Sequence, residues 1–162
     1  MAKVFEDEFM NLQADYVSLC LEVMEGIADE IYIYISNEAT CHMFHTFCRV
    51  KGQVKTINQL FSPGLQRDLL MTGGKDIEKI NELCRRYGRP APKEIKLHYV
   101  VKTNSLDAHY EYKPVCPIES DVSPDDVIDA WIEEERKKGY AADEREKEPL
   151  GILEKIKGRK TQ

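Results

Sequence analysis

Polar and apolar residues alternate along Glu94–Lys113, which predicts two β-strands joined by a tight turn. The apolar residues are Ile95, Leu97, Tyr99 and Val101 in the first strand and Leu106, Ala108, Tyr110 and Tyr112 in the second. Strand side chains point to opposite faces with a period of two, so each strand has one apolar face. Only a loop with an even number of residues puts both apolar sets on one face. The loop is therefore predicted to be Asn104–Ser105 or Lys102–Ser105, in a sheet whose apolar face needs cover.

Before this hairpin, helical periodicity gives way to strand periodicity. Apolar residues recur at helical spacing over Lys3–Glu25, and Gly26 predicts the end of that helix. β-Branched and aromatic residues then alternate over Ile31–Ile35, which predicts a strand. A second strand is predicted over Cys41–Val50 and a short third strand over Val54–Leu60.

Two further helical regions flank the central hairpin. The first covers Leu65–Tyr87 but contains Gly73–Gly74. Because glycine inside a helix costs about 1 kcal/mol relative to alanine, two shorter helices are predicted there. The last helix is predicted to start at Ser123, which is followed by a proline and two aspartates, and to end at Gly139.

The predicted order of elements is therefore α-β-β-(β)-α-β-β-α. Strands grouped in hairpins, with helices between the groups, are typical of an α+β fold in which helices cover an antiparallel sheet. The length of 162 residues suits one domain with its own core. We assign residues 1–138 to this domain and residues 139–162 to a charged C-terminal extension.

Composition predicts the cellular location of the protein. Hydrophobic residues make up 42% of the chain and charged residues 32%, as in soluble globular proteins. No secretory signal or apolar stretch of membrane-spanning length is visible in the sequence. The five cysteines are odd in number and widely spread, so they do not indicate a disulfide framework. These features predict a cytoplasmic protein with reduced thiols.

Charge is distributed unevenly along the chain, whose net charge is −6. Residues 119–148 contain 12 acidic and five basic side chains. A chain with this charge balance is a poor general nucleic-acid binder, because phosphate contacts need a concentrated basic surface. Arg85, Arg86 and Arg89 form a local basic group, and we expect them to pair with the acidic segment of the same chain.

One cluster contains residue types that bind zinc: Cys41, His42, His45 and Cys48. In a strand, Cys41 and His45 would face one side and the other two residues the opposite side. Four such ligands cannot converge on one tetrahedral ion. Packing within the strand is therefore preferred over a metal site.

Two histidines, His98 and His109, are placed on the polar face of the predicted hairpin. In one register they lie opposite each other, and in the other His98 faces Glu111. Such a pair could act as a base or a ligand site, but exposed cross-strand pairing is preferred. Gly73–Gly74–Lys75 lacks the Ser or Thr that a phosphate loop needs after the lysine. We therefore predict a non-catalytic protein with no cofactor and no metal.

Four stretches of the chain resemble the YezG-like immunity (antitoxin) family of bacterial polymorphic toxin systems. They are ADYVSLCLEV, ADEIYIYIS, EIKLHYVVKTNSLDAHYEY and DDVIDAWIEEE, and with their spacing they span most of residues 12–138. The resemblance implies a small cytoplasmic α+β protein that binds and neutralises a cognate protein toxin. A nuclease is one candidate for the toxin, and neither nucleic acid nor membrane is expected as a direct partner.

The acidic surface of the last helix is the predicted contact with the toxin. Its residues are Asp125, Asp126, Asp129, Glu133, Glu134 and Glu135. Toxins that act on nucleic acid tend to be basic, and opposite potentials accelerate encounter. Two other functions remain open: a regulatory or scaffold binding module, and a small enzyme that uses the histidines or the cysteine–histidine cluster.

Overall fold

The computed structural model describes residues 2–39 and 41–145, which form four α-helices and one five-stranded antiparallel sheet. In chain order the elements are α1 (Ala2–Met24), β1 (Glu30–Glu38), β2 (Cys41–Val50), β3 (Gln53–Thr56), α2 (Ile57–Leu60), α3 (Pro63–Arg86), β4 (Glu94–Val100), β5 (Ser105–Glu111) and α4 (Pro124–Arg145). The protein therefore has the predicted α+β fold.

The strands lie in the order β3-β2-β1-β4-β5, so β1 is the central strand. It pairs with β2, the next strand along the chain, and with β4, the first strand of the predicted hairpin. Ile33 lies opposite Leu97 in the pairing of β1 with β4. All four strand pairings are antiparallel.

The two faces of the sheet have different cover. α1 and α3 pack on one face, where the buried side chains include Ile31, Ile33, Ile35, Ile95 and Leu97. α4 packs on the other face over a smaller cluster that contains Tyr32, Tyr34, Phe47, Val54 and Trp131. The Trp131 ring meets the Phe47 ring edge-on, with 5.2 Å between centroids. Both faces are therefore covered, but α4 covers a smaller buried cluster than α1 and α3 cover on the opposite face.

The hairpin loop has an even length, as predicted, but it ends one residue earlier than either predicted loop. Val100 pairs with Ser105, so Val101–Asn104 is the loop and the apolar sets share a face. Asn104 ends it with a φ of 51°, a conformation that asparagine tolerates. Its Oδ1 accepts a hydrogen bond from the Tyr99 hydroxyl at 2.6 Å, which fixes the turn at this position.

The predicted third strand is too long. β3 ends at Thr56, and Ile57–Leu60 forms the short helix α2. The Thr56 backbone N–H donates to Gln59 Oε1 at 2.9 Å, as in a capping box. Thr and Gln three residues apart were therefore a helix-start signal that outweighed the β-propensity of the segment.

The predicted break at Gly73–Gly74 is wrong, because α3 is continuous from Pro63 to Arg86. Gly73 is buried against the Phe44 ring, and its carbonyl accepts a hydrogen bond from the Tyr16 hydroxyl at 2.8 Å. The helix tolerates both glycines because this packing offsets their low helix propensity.

The predicted end of the last helix at Gly139 is also wrong, because α4 continues to Arg145. A single glycine costs a helix about 1 kcal/mol, and good helix formers on both sides, such as Lys138 and Ala141, offset that cost. The remainder of the predicted extension, residues 146–162, lies outside the described residues.

Candidate functional site

Five of the six acidic residues predicted to contact a partner are exposed on α4. They are Asp125, Asp126, Asp129, Glu133 and Glu134, hereafter the acidic surface. Asp125, Asp129 and Glu133 are spaced by four residues and therefore share one face of the helix. Glu133 pairs with Arg136 and Glu134 with Lys138, whereas Asp125 and Asp129 form no ion pair with the described side chains of residues 4–39 and 41–138.

The sixth predicted residue, Glu135, is not part of this surface. It is 6% exposed, and its Oε1 lies 3.6 Å from Arg49 Nη2. The same guanidinium nitrogen donates to the Glu135 carbonyl oxygen at 2.8 Å, and Lys138 Nζ lies 2.9 Å from Oε2. Helical spacing turns this side chain toward the sheet, so Glu135 is buried where α4 packs on the sheet.

Arg49 is the centre of a buried polar cluster under α4. Its Nη1 donates to the Gly52 carbonyl at 2.9 Å, and its Nε donates to the Tyr32 hydroxyl at 3.2 Å and lies 3.4 Å from Glu30 Oε2. The other Glu30 oxygen lies 2.7 Å from His98 Nε2. This cluster ties α4 to β1, β2 and β4 and is built for stability.

The pairing of Arg85, Arg86 and Arg89 with the acidic segment is not observed. Arg85 pairs with Glu78 at 3.8 Å, Arg86 pairs with Glu8 at 3.5 Å, and Arg89 lies over the Phe5 ring. All of these partners belong to the α1 and α3 side of the sheet. The basic group and the acidic surface are therefore separated by the sheet.

The two histidines of the hairpin do not form a site together. His98 lies opposite Asp107, and His109 lies opposite Lys96. Both predicted registers are therefore wrong, because the loop ends earlier than predicted. The His98 ring stacks on Tyr32 with 4.5 Å between centroids. His109 is exposed and meets Glu111 at 3.1 Å. His98 belongs to the structural cluster around Arg49.

The cysteine–histidine cluster is divided between the two faces of the sheet, as its strand spacing predicts. Cys48 is buried in the core beneath α1 and α3, whereas His45 lies near Asp125 and Asp129 of α4. Burial lowers the pKa of His45, and the two nearby carboxylates oppose that shift. Burial also raises the pKa of the Cys48 thiol to about 11, which keeps it protonated.

A cleft of about 350 Å³ opens beside the start of α4, hereafter the α4 cleft. Its lining comes from the end of β1, the start of β2 and the segment after β5, and includes Ser36, Glu38, Cys41, Cys116, Ile118 and Val122. Glu38 Oε2 accepts hydrogen bonds from the backbone N–H groups of Val115 and Cys116, at 3.2 and 2.8 Å. These bonds hold the outer wall of the cleft against β1.

Three adjoining polar side chains are buried at or beside the α4 cleft, and of these Ser36 lines it. Ser36 is 1% exposed, and its Oγ, the Tyr34 hydroxyl and Glu94 Oε1 form no hydrogen bond of ordinary geometry among the described residues. Ser36 and Glu94 both shift the pKa of the Tyr34 hydroxyl through side-chain hydrogen bonding, so the three groups adjoin and interact weakly with one another. Weak pairing of buried polar groups lowers the stability of the fold.

Burial raises the pKa of the Glu94 carboxyl above its ordinary value. The protonated carboxyl therefore favours the folded state fully below about pH 4, and this contribution is lost as the pH rises through the raised value. We expect Glu94→Gln to raise the midpoint of thermal unfolding at pH 7 and to leave it nearly unchanged at pH 3. The exposed Glu82→Gln is the control; equal midpoints for Glu94→Gln and the wild type at pH 7 would contradict the expectation.

Sequence reasoning did not find the α4 cleft. Ser36 and Glu38 continue the alternation of β1, and Cys116 and Ile118 lie in a segment without periodicity. No motif joins these stretches, because the fold alone brings them together. The one local signal in the sequence was that β1 ends in the polar residues Ser36–Glu38. The structure shows that the strand is buried to its end.

Comparisons with known proteins leave the family open. A scan against protein-family models found no match, and a search of curated proteins found no significant match. Within the described part of the chain, every helix is too short or too polar to cross a membrane. The acidic surface is therefore the feature from which a function can be inferred.

Proposed function

We propose that this chain is a non-catalytic immunity-type protein that binds and neutralises a basic toxin domain produced by the same bacterium. The proposal rests on the resemblance of four stretches to YezG-like immunity proteins. One structural observation supports it: the exposed acidic surface, in which Asp125 and Asp129 are without ion-pair partners in the described residues.

The charge of the acidic surface supports a basic partner at α4. The basic group Arg85, Arg86 and Arg89 lies on the other side of the sheet and does not neutralise this surface. An acidic surface attracts an incoming basic protein. Such complementarity accelerates association and disfavours wrong partners, as a specific inhibitor requires.

The first test is co-expression with the toxin domain encoded beside this gene. Under the proposal, growth is restored by stoichiometric binding, and no turnover of the toxin accompanies it. A complex with a protein of the host's own machinery, and no protection against the toxin, would instead favour the regulatory or scaffold function.

The second test reverses charge on the acidic surface. We expect Asp129→Lys/Glu133→Lys/Glu134→Lys to slow association with the toxin domain by about tenfold or more at low salt and to flatten its salt dependence. Glu135 keeps its buried ion pair, so folding is unchanged. Stopped-flow fluorescence measures the association rate.

The matched control carries the same change in net charge on the opposite side of the sheet. Glu22→Lys/Asp68→Lys/Glu82→Lys alters three exposed residues of α1 and α3. If both triple variants slow association equally, net charge and not the acidic surface governs encounter. If neither does, α4 is not the contact.

A further inference from the structure

The outer edge of β5 is open to pairing with a further strand. β5 lies at one end of the sheet, and within the described part of the chain no strand pairs with its outer side. Its central residues Asp107, Ala108 and His109 are exposed. The other edge strand, β3, has four residues and leads directly into α2, whereas β5 has seven. An open strand edge of this length is a template for pairing with another chain.

The pairing of β4 fixes which backbone groups of β5 point outward. Hydrogen-bonded positions alternate along an antiparallel strand, so a central strand bonds to its two neighbours through alternate residues. The Val101 N–H at the end of β4 donates to the Asp29 carbonyl at 3.0 Å, so odd-numbered residues of β4 bond to β1 and even-numbered residues bond to β5. Lys96 lies opposite His109, so the odd-numbered residues of β5 bond to β4. The N–H and C=O groups that point outward therefore belong to Leu106, Ala108 and Tyr110.

β5 is complementary to itself in one antiparallel register. Only a twofold axis at Ala108 lets all seven residues overlap with those of a second copy. The outward groups of Ala108 then bond to those of its counterpart, and the outward groups of Leu106 bond to those of Tyr110. Asp107 lies opposite His109 on the polar face, and the symmetry produces this pair twice. An axis at Asp107 or at His109 would instead bring carboxylates opposite each other, which destabilises a strand pair.

Both side chains of this charged pair are accessible to a second copy. The His109 side chain is 64% exposed, and its Nε2 lies 3.1 Å from Glu111 Oε1 of the same strand. An imidazolium has two N–H donors, so the second nitrogen can donate to Asp107 of the second copy. Asp107 lies opposite His98, whose Nε2 lies 2.7 Å from Glu30 Oε1. The exposed Asp107 carboxylate can therefore accept from the other chain.

An exposed methionine of α1 stands beside the same edge. Gln13 Oε1 of α1 accepts a hydrogen bond from the Tyr110 hydroxyl of β5 at 2.7 Å. Met10 precedes Gln13 by three residues, lies on the same side of the helix and is 52% exposed. Glu8 and Leu12, in contrast, line the groove between α1 and α3. A sheet continued beyond β5 would extend beneath the Met10 side of α1 and bury apolar surface there.

We infer that the β5 edge binds β5 of a second copy of this chain, so that two five-stranded sheets join into one antiparallel sheet across a twofold axis at Ala108. A second copy fits this edge better than an arbitrary strand, because the edge supplies its own complementary charges in the one register of full overlap. α4 packs over β2 and β3, away from β5, so the acidic surfaces of both copies stay exposed in the dimer. The inference therefore stands independently of the proposed function.

The test is sedimentation velocity of the full chain over a range of concentrations. We expect the sedimentation coefficient to rise from that of one chain toward that of two, with a Kd of about 10 μM, as for a small interface. Hydrogen exchange followed by NMR should slow several-fold at the Leu106, Ala108 and Tyr110 amides when the protein is concentrated. A single chain at all concentrations, or a dimer in which these three amides exchange at the monomer rate, would overturn the inference.

Three variants test the register. Ala108→Pro removes an outward N–H at the axis without breaking a bond to β4, so it should abolish the dimer and leave the circular dichroism spectrum unchanged. Asp107→Lys places a lysine opposite His109 twice and should weaken the dimer about tenfold. Asp107→Lys/His109→Glu again places opposite charges across the axis and should restore dimerisation. Failure of this double variant to restore the dimer would refute the register.

The matched control is Glu82→Lys, which makes the same change in net charge as Asp107→Lys at an exposed position of α3. It should dimerise as the wild type does. If Glu82→Lys weakens the dimer as much as Asp107→Lys, net charge and not the β5 edge governs association. If neither Ala108→Pro nor Asp107→Lys weakens it, the dimer uses another surface and the inference is wrong.

Discussion

Replacing Arg49 by methionine is expected to lower the free energy of unfolding by about 3–5 kcal/mol. Arg49 is 8% exposed, and its guanidinium donates to the Glu135 and Gly52 carbonyls and to the Tyr32 hydroxyl. Its removal takes one of two cationic partners from the buried Glu135 carboxylate, which keeps Lys138 at 2.9 Å, and it leaves the two carbonyls and the Tyr32 hydroxyl without their donor. Breaking a buried pair costs more than the pair contributes. Urea unfolding followed by circular dichroism measures the loss.

Two further variants show whether the buried charge causes this loss. Arg49→Met/Glu135→Met removes both charges, so it should regain part of the stability lost in the single variant. Arg86→Met breaks the exposed pair with Glu8 and should cost less than about 1 kcal/mol. A double variant that is less stable than Arg49→Met would show that hydrogen bonds of Glu135, and not its uncompensated charge, dominate.

Gly73→Ala is expected to destabilise the protein by about 1–3 kcal/mol, although alanine is the better helix former. A methyl group at Gly73 would lie within 3.0 Å of three atoms of the Phe44 ring. That ring is 2% exposed and stacks on Tyr16 with 5.4 Å between centroids, so it has little room to move. Thermal unfolding of the variant and the wild type measures the difference.

The neighbouring glycine provides the matched control. A methyl group at Gly74 meets nothing within 4 Å. Gly74→Ala should therefore stabilise α3 by about 0.5–1 kcal/mol through helix propensity alone. The two substitutions are chemically identical and adjacent, so effects of the same sign would refute the close contact of Gly73 with Phe44.

The central hairpin could be predicted because its signal is local. Strand alternation over Ile95–Tyr110 assigns each residue to a face whatever the rest of the chain does. Both predicted loops end one residue too late, because alternation sets only the parity of the loop. The left-handed conformation of Asn104 then selects one loop among those of even length.

Residues whose role depends on distant partners could not be predicted in this way. Gly73 resembles a helix breaker until Phe44 of β2 is placed beneath it. Glu135 resembles its exposed neighbours until Arg49 is placed beside it. The α4 cleft joins segments far apart in the sequence, so neither spacing nor composition reveals it.

The position of β1 has a consequence for the order in which the sheet forms. β2 follows β1 after a short turn, whereas β4 follows only after β2, β3, α2 and α3. Closing a long chain loop costs more entropy than closing a short one, and nonlocal pairing slows folding. The β1–β3 meander and the β4–β5 hairpin are each local, so the pairing of β1 with β4 unites two fragments. We therefore expect the pairing of β1 with β4 to limit the folding rate of the chain.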